Sequence, residues 1–200
     1  GKFIDEVCWR TYWKGWLRLR PGVWAAYLRE LARERAKLAG SRGYEAVVNA
    51  ESGIECLDAW TRELLASGYL HNHARMWYAS IWVHTLKLPW TLGADFFLRH
   101  LLDGDPACNT LSWRWVAGLH TAGKTYLARA DNIRQFSAGR FAAPIALATA
   151  PADVSGSDGN PPAGALPPLP PLPAYQRLGL LVQDDDLSAL NWLAEPAAVS

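Results

Sequence analysis

Two hundred residues, half of them hydrophobic, supply enough apolar surface for one ordinary core with chain to spare, which excludes disorder throughout. A formal net charge of +1 excludes a global basic field, so any nucleic-acid contact falls to a local patch. Three Cys, at 8, 56 and 108, make neither a closed disulfide set nor a Cys-x-x-Cys metal motif and suit a reducing, cytoplasmic compartment.

The elements follow in chain order. Residues 2–19 place Phe3, Val7, Trp9, Trp13, Trp16 and Leu17 at helical spacing, and Arg20-Pro21-Gly22 stops the run. Residues 23–39 repeat the pattern, with Trp24, Tyr27, Leu28, Leu31 and Leu38 inside, a charged outer face and Gly40 as terminator. Further helices are expected over 54–66, ending at Ser67-Gly68; over 72–87, ending before Pro89; and over 92–102, ending at Asp103-Gly104. His84, Lys87 and Arg99 interrupt the apolar stretches, so no membrane span is expected, and no signal segment opens the chain. The chain enters a helical pattern at once from Gly1, as a piece of a longer polypeptide would.

Past Phe141 the composition changes. Residues 151–173 hold eight of the 13 Pro, which reads as an extended linker over 143–174 rather than a Pro-x-x-Pro ligand. Residues 178–190 resemble a short strand and a capped helix start, the opening of a further module or tail over 175–200. The helical domain is expected over 1–142.

Several motifs are weighed against blander readings. Gly118-Leu-His-Thr-Ala-Gly123-Lys124-Thr125 spells the phosphate-binding P-loop pattern, but helices precede it, so nucleotide hydrolysis through Lys124 ranks third among the readings. His71 and His73 are two apart and point different ways on a helix, and Asp103-Gly-Asp105 lacks further acidic ligands; no metal is expected. Ten of the 11 Trp precede residue 116. Trp13, Trp16, Trp60, Trp77 and Trp82 are read as core, whereas Trp90, Trp113 and Trp115 flank the Asp-Gly-Asp…Asn109 segment.

The stretch Gly68-Tyr-Leu-His-Asn-His-Ala-Arg-Met76, the segment Leu101-Leu-Asp-Gly-Asp-Pro-Ala-Cys-Asn109 and the pair Trp113-x-Trp115 together resemble the C-terminal helical flavin-binding domain of the DNA photolyase/cryptochrome family. Glu6-Val-Cys-Trp9-Arg10-x-Tyr12 fits the family's upstream segment, and the likeness covers about residues 3–130. It implies an all-α orthogonal helical bundle with a Pro-rich disordered C-terminal linker. It implies FAD, and a reaction in which light drives an electron from reduced flavin to a pyrimidine dimer in damaged DNA. Carried over residue by residue, Asn109 faces the flavin N5, Arg75 and Asp103 pair beside the isoalloxazine, and Asp105 and Arg10 complete the cofactor set. Trp9 and Tyr69 wall the flipped-out lesion, with Trp115 also on the DNA side; Glu6 and Asn72 hydrogen-bond its bases, and Met76 touches it. Trp113 and Trp90 are the inner members of an electron-transfer chain, with Trp24 a weaker outer candidate. Arg10, Lys124, Arg129 and Arg140 are candidate phosphate contacts.

Asn72 before Arg75-Met76 leans the reading to cyclobutane dimers. A cryptochrome-type photoreceptor without repair is the alternative. Three Cys fall short of the iron–sulfur branch of the family, so no cluster is expected, and the protein is expected to act as a monomer. The family's antenna domain and its flavin-pyrophosphate grip are not within these residues, so an N-terminally incomplete domain is expected.

Overall fold

The structure, a computed structural model, describes residues 2–38, 41–121, 124–141, 146–154, 159–165 and Pro168, without the side chains of Lys2, Phe3 and Glu6. The chain divides into two compact units at 166/167, and all described residues but Pro168 belong to the first. The strand and helix start expected over 178–190 lie outside the described residues.

The described residues form helices and no strand, so the fold is all-α as expected. Helix α1 (Lys2–Arg18) stops two residues before Pro21, and α2 (Pro21–Lys37) starts on that proline, whose missing N–H is no loss in a first turn. The inward face of α2 carries Val23, Tyr27 and Leu31, four residues apart, and its last turn carries Arg35 and Lys37, which suit the negative end of the helix dipole. Next come α3 (Arg42–Val48) and α4 (Glu55–Ser67). The Asp58 carboxylate orders the approach to α4 by accepting from the backbone amides of Ser52, at 2.9 Å, and Gly53, at 3.1 Å. Gly68 closes α4 in the left-handed region at φ +68°, and a Cβ there would meet the Leu102 side chain, so glycine serves both the cap and the close approach.

Helix α5 (Asn72–Ser80) runs on into a π-helical turn, Ile81–Thr85, which ends at Lys87 with φ +54° ahead of Leu88-Pro89. That turn buries His84, whose Nε2 bonds the Val116 carbonyl at 3.1 Å while Nδ1 accepts from the Ala152 amide at 3.1 Å. An accepting Nδ1 puts the proton on Nε2, and burial lowers the pKa of the ring, so it is neutral. The remaining helices are α6 (Trp90–His100), α7 (Pro106–Val116) and α8 (Ala130–Phe136). Helix α6 packs on α7 and α2, and α1 lies against α7 and α2. One carboxylate ties two of these together: Asp95 of α6 accepts from Arg35 of α2 at 2.7 Å and from Arg99 at 3.1 Å.

The core runs along α4, α5 and α6. Trp60 and Trp77 stack at 5.6 Å, and Trp82 is fully enclosed with its indole N–H on the Pro89 carbonyl. Trp13 and Trp16 depart from the core reading: both are half-buried and cluster instead around His120. The described residues of the 143–174 stretch carry no helix or strand. The stretch nonetheless binds the helices, through Ala148 N–H to Thr85 Oγ1, Gly164 N–H to the Leu19 carbonyl, and Arg20 to the Pro161 carbonyl.

The Tyr27 hydroxyl is buried with no hydrogen-bond partner, and burial raises its pKa. An unpaired buried hydroxyl costs about 1–3 kcal/mol. Tyr27→Phe is therefore expected to hold or raise stability, by up to about 1 kcal/mol in urea unfolding, whereas most core changes lower it.

Candidate functional site

A cavity of about 780 Å³ opens between α1, α5, α7 and the 101–105 turn. Its position follows from local rules. Asp105 accepts from the Cys108 amide at 2.8 Å and caps α7, with Pro106 in the first helical position, so α7 has to start beside the Asp103-Gly-Asp105 turn. His71 caps α5 in the same manner, its Nδ1 accepting from the His73 amide at 3.3 Å, which directs Asn72, Arg75 and Met76 along one side of the opening.

Arg75 is the main tie at the mouth. Its guanidinium reaches both Asp103 oxygens at 3.1 Å, donates from Nε to the Leu70 carbonyl at 2.8 Å, and lies 5.7 Å from the centroid of the Tyr69 ring. Asp105 sits deeper, near Lys14 Nζ at 3.6 Å and Arg10 at 4.0 Å, so one carboxylate joins α1 to the start of α7. Burial alone would raise its pKa. The Cys108 amide and thiol with Lys14 and Arg10 outweigh that, and the pKa is lowered. The neighbouring Cys108 thiol is pushed up to about 12 by burial and by Asp105, so it is a neutral wall and not a thiolate.

Asn109 is almost fully buried, and its Nδ2 donates to the Ala94 carbonyl at 2.7 Å. That bond holds the amide against α6. Trp113 is buried edge-on against Phe97 at 5.1 Å and Trp82 at 6.0 Å. Along α1, Trp9 is more than half exposed and stacks with Trp13 at 6.0 Å and 26°.

Of the residues expected at the site, the cavity is lined by Trp9, Arg10, Asn72, Arg75, Met76, Asp103, Asp105, Asn109, Trp113 and Trp115. Tyr69 is outside the lining, exposed beneath Arg75. Trp90 is also outside it: it is buried against Tyr27 at 5.6 Å, Tyr27 lies 5.1 Å from Trp24, and the Arg114 guanidinium lies over the Trp90 indole. The ring contacts of Trp113 run instead to Trp82, which sequence reasoning assigned only to the core. The Glu6 side chain lies outside the described residues. Sequence reasoning missed Tyr12, Trp13, Cys108, Ser112, His120 and Thr121, all on the wall. The i, i+3, i+4 spacing of Trp9, Tyr12 and Trp13 was the available signal for two of them.

Two outer phosphate candidates are engaged within the chain. Arg129 pairs with Asp131 at 2.7 Å and Arg140 with Glu63 at 3.4 Å. The P-loop spelling at 118–125 follows α7 rather than a strand, and the next helix starts only at Ala130; Gly123 lies outside the described residues. Among the described residues no group of His, Cys, Asp and Glu is placed to hold a metal ion, and no helix is long and apolar enough to cross a membrane.

A family model described as the FAD binding domain of DNA photolyase matches residues 3–144. The chain belongs to that family. Among curated relatives it is 34% identical over 145 residues to a deoxyribodipyrimidine photo-lyase of Streptomyces griseus, covering 66% of this chain and 31% of the relative. It is 31% identical over 127 residues to one of Salmonella typhimurium, covering 62% and 26%, and 27% identical over 125 residues to one of Escherichia coli, covering 62% and 26%. The chain thus spans between a quarter and a third of the length of these relatives.

The cofactor of this photolyase domain is FAD. The residues present fit it: a cavity of about 780 Å³ is of ligand size, within the roughly 300–1,000 Å³ usual for such sites. Its wall offers an oriented buried amide at Asn109, a guanidinium–carboxylate pair at Arg75–Asp103 and indole surface at Trp113, the mix of flat apolar and directed polar groups that a fused heteroaromatic ring needs.

The Asp105 tie carries a pH dependence. A carboxyl whose folded pKa lies below its unfolded value of about 4 adds stability that is complete above that value and is lost as pH falls through the folded value. Asp105→Asn keeps an equivalent cap but has no charge to set against Lys14 and Arg10. Urea unfolding between pH 3 and 7 is expected to show a shallower acid limb in that variant.

Proposed function

We propose that this domain serves light-driven, FAD-dependent repair of cyclobutane pyrimidine dimers in DNA, acting as a monomer in the cytoplasm. One observation carries the reading: the lesion-side residues implied by the family resemblance, Trp9, Asn72 and Met76, line the same cavity as the flavin-side residues Arg75, Asp103, Asn109 and Trp113. When bound, reduced FAD supplies the electron that splits the dimer, and takes it back.

The chain's own residues do the rest. Trp9 and Trp13 offer flat surface to a base taken out of the duplex, where stacking offsets part of the cost of flipping. Asn72 supplies a polar contact and Met76 a soft apolar one at the same mouth. Asn109 presents a fixed amide on the flavin side, and Arg75–Asp103 holds the 101–105 turn against α5. Trp113, in edge contact with Trp82, is the indole placed to pass an electron towards the cavity. Arg10 supplies positive charge beside Trp9 for a phosphate.

The test is blue-light irradiation of the full-length protein, carrying reduced FAD, with an oligonucleotide containing one thymine dimer. Restored thymines in the light and none in the dark are expected, with Asn72→Ala lowering the yield at least roughly fivefold, the equivalent of one lost hydrogen bond. No restoration with FAD bound and reduced would leave the cryptochrome-type photoreceptor reading standing.

A further inference from the structure

Trp113 lines the cavity, and its ring contacts lead away from it. It meets Trp82 edge-on at 6.0 Å, and Trp82 meets Tyr44 of α3 edge-on at 5.9 Å. Gly93 makes room for the first contact: a Cβ there would fall in the space of the Trp113 ring and 3.0 Å from Trp82 Cε2, so the two indoles meet where α6 carries no side chain. Trp82 is fully enclosed and Tyr44 is half-buried. The three rings therefore run from the cavity wall through the core to the surface.

An indole that gives up an electron becomes a cation, and its surroundings decide how readily. Trp82 donates its N–H to the Pro89 carbonyl at 2.9 Å, a bond that strengthens when the ring turns positive. Trp90 is in the opposite case. The fully buried Arg114 guanidinium lies 5.7 Å from the centroid of its ring, and the attraction of a cation to a neutral indole becomes repulsion once that indole is itself a cation. An arginine does not shed its charge to relieve this.

Two tyrosines touch Trp82, and a phenol is oxidised readily only when its proton can leave. Tyr78, stacked at 6.1 Å, is buried with its hydroxyl on that of Thr61, which is no base and donates in turn to the Leu57 carbonyl. The hydroxyl of Tyr44 is neither bonded by a described group nor closed off from solvent, so water can take its proton.

We propose that the flavin of this domain is reduced along Trp113, Trp82 and Tyr44, with Tyr44 as the terminal donor, in preference to a route through Trp90. This rests on the placement of FAD in the cavity and says how the flavin acquires an electron there. Trp113 passes one electron to photoexcited, oxidised FAD. Trp82 refills Trp113, and Tyr44 refills Trp82 while its phenol proton goes to water. The flavin gains one electron, and Tyr44 is left a neutral phenoxyl radical with no positive charge to draw that electron back. A thiol from solution then returns a hydrogen atom to the phenoxyl oxygen.

The test is freeze-quench electron paramagnetic resonance, together with flavin absorbance, on full-length protein carrying oxidised FAD after a blue flash in the absence of DNA. Wild type is expected to show a tyrosyl signal alongside the flavin change. Tyr44→Phe, an isosteric change at a half-buried position, is expected to lose that signal, and its flavin to reoxidise faster because the positive charge stays on Trp82. Trp82→Phe is expected to lose most of the flavin reduction at unchanged FAD content. Should W82F fail to fold, Tyr44→Phe decides alone. A tyrosyl signal retained in Tyr44→Phe or absent from the wild type overturns the proposal, as does full flavin reduction in Trp82→Phe. Trp113→Phe separates the two failures. Reduction lost there but kept in Trp82→Phe overturns the route alone, whereas reduction kept in Trp113→Phe overturns the placement of the flavin against this wall.

Discussion

Gly93→Ala is expected to destabilise the domain by about 2 kcal/mol and to push Trp113 off the cavity wall. On helix propensity alone the sign would be the reverse, since alanine in a helix interior gains about 1 kcal/mol over glycine. Packing decides against it. A Cβ on Gly93 falls within the space of the Trp113 six-membered ring and 3.0 Å from Trp82 Cε2, and both indoles are buried. Overpacking of this kind costs about 1–3 kcal/mol, and here rigid rings of two elements have to move. Urea unfolding and the FAD content of the purified protein read the two effects together. Unchanged or raised stability would show that the α6–α7 contact is looser than described.

Arg75→Ala is expected to cost about 2 kcal/mol and to lower FAD affinity at least about tenfold. One guanidinium serves the Leu70 carbonyl and both Asp103 oxygens, so removing it unties the turn after α4 and the turn before α7 together. Leu70 is fully buried, and loss of the donor to its carbonyl carries a desolvation penalty of about 1–3 kcal/mol. The ion pair itself adds little, because half of the Asp103 side chain is exposed. Asp103→Asn should therefore cost less than about 1 kcal/mol. Arg75→Lys should behave more like Ala than like Arg, since a lysine cannot make the fork and the Nε bond at once. Thermal unfolding of the three variants gives the order, and equal effects of R75A and D103N would contradict this division.

Much of the frame was legible because its signals are local. Ser67-Gly68 announced the end of α4, and Pro21 the break between α1 and α2, because a left-handed cap and a missing N–H act on their own neighbours. Helix α7 was readable in principle from Asp105-Pro106, a cap residue followed by proline, but the segment was weighed as a ligand loop and the cap overlooked. The seven-residue helices α3 and α8 carry too few periodic positions to stand out. The single helix expected over 72–87 changes pitch at Ile81, where His84 is drawn towards Val116 and Ala152, partners remote in sequence.

The site divides in the same way. Arg75, Asp103 and Asn109 were named through the family resemblance, and the structure brings them to one cavity. Trp90 carried the same warrant; it packs on Tyr27 and is not part of the cavity lining. Trp13 was assigned to the core on size alone, and a half-buried face against His120 needs the α1–α7 crossing to be visible. His120 itself had no signal, because nothing in the Gly118–Thr125 spelling says that the turn folds onto α1.

The central claim is that the cavity bounded by α1, α5 and α7 holds the flavin. Ser112 lies on its wall at an exposed position of α7, so Ser112→Trp fills the space with little disturbance of the core. Titration of the full-length apoprotein with FAD, followed by flavin fluorescence, tests the claim most directly. The account predicts one FAD per wild-type chain and at least about tenfold weaker binding by a normally folded Ser112→Trp, a penalty of roughly 1.4 kcal/mol or more. Wild-type affinity in that variant would contradict it and place the flavin elsewhere.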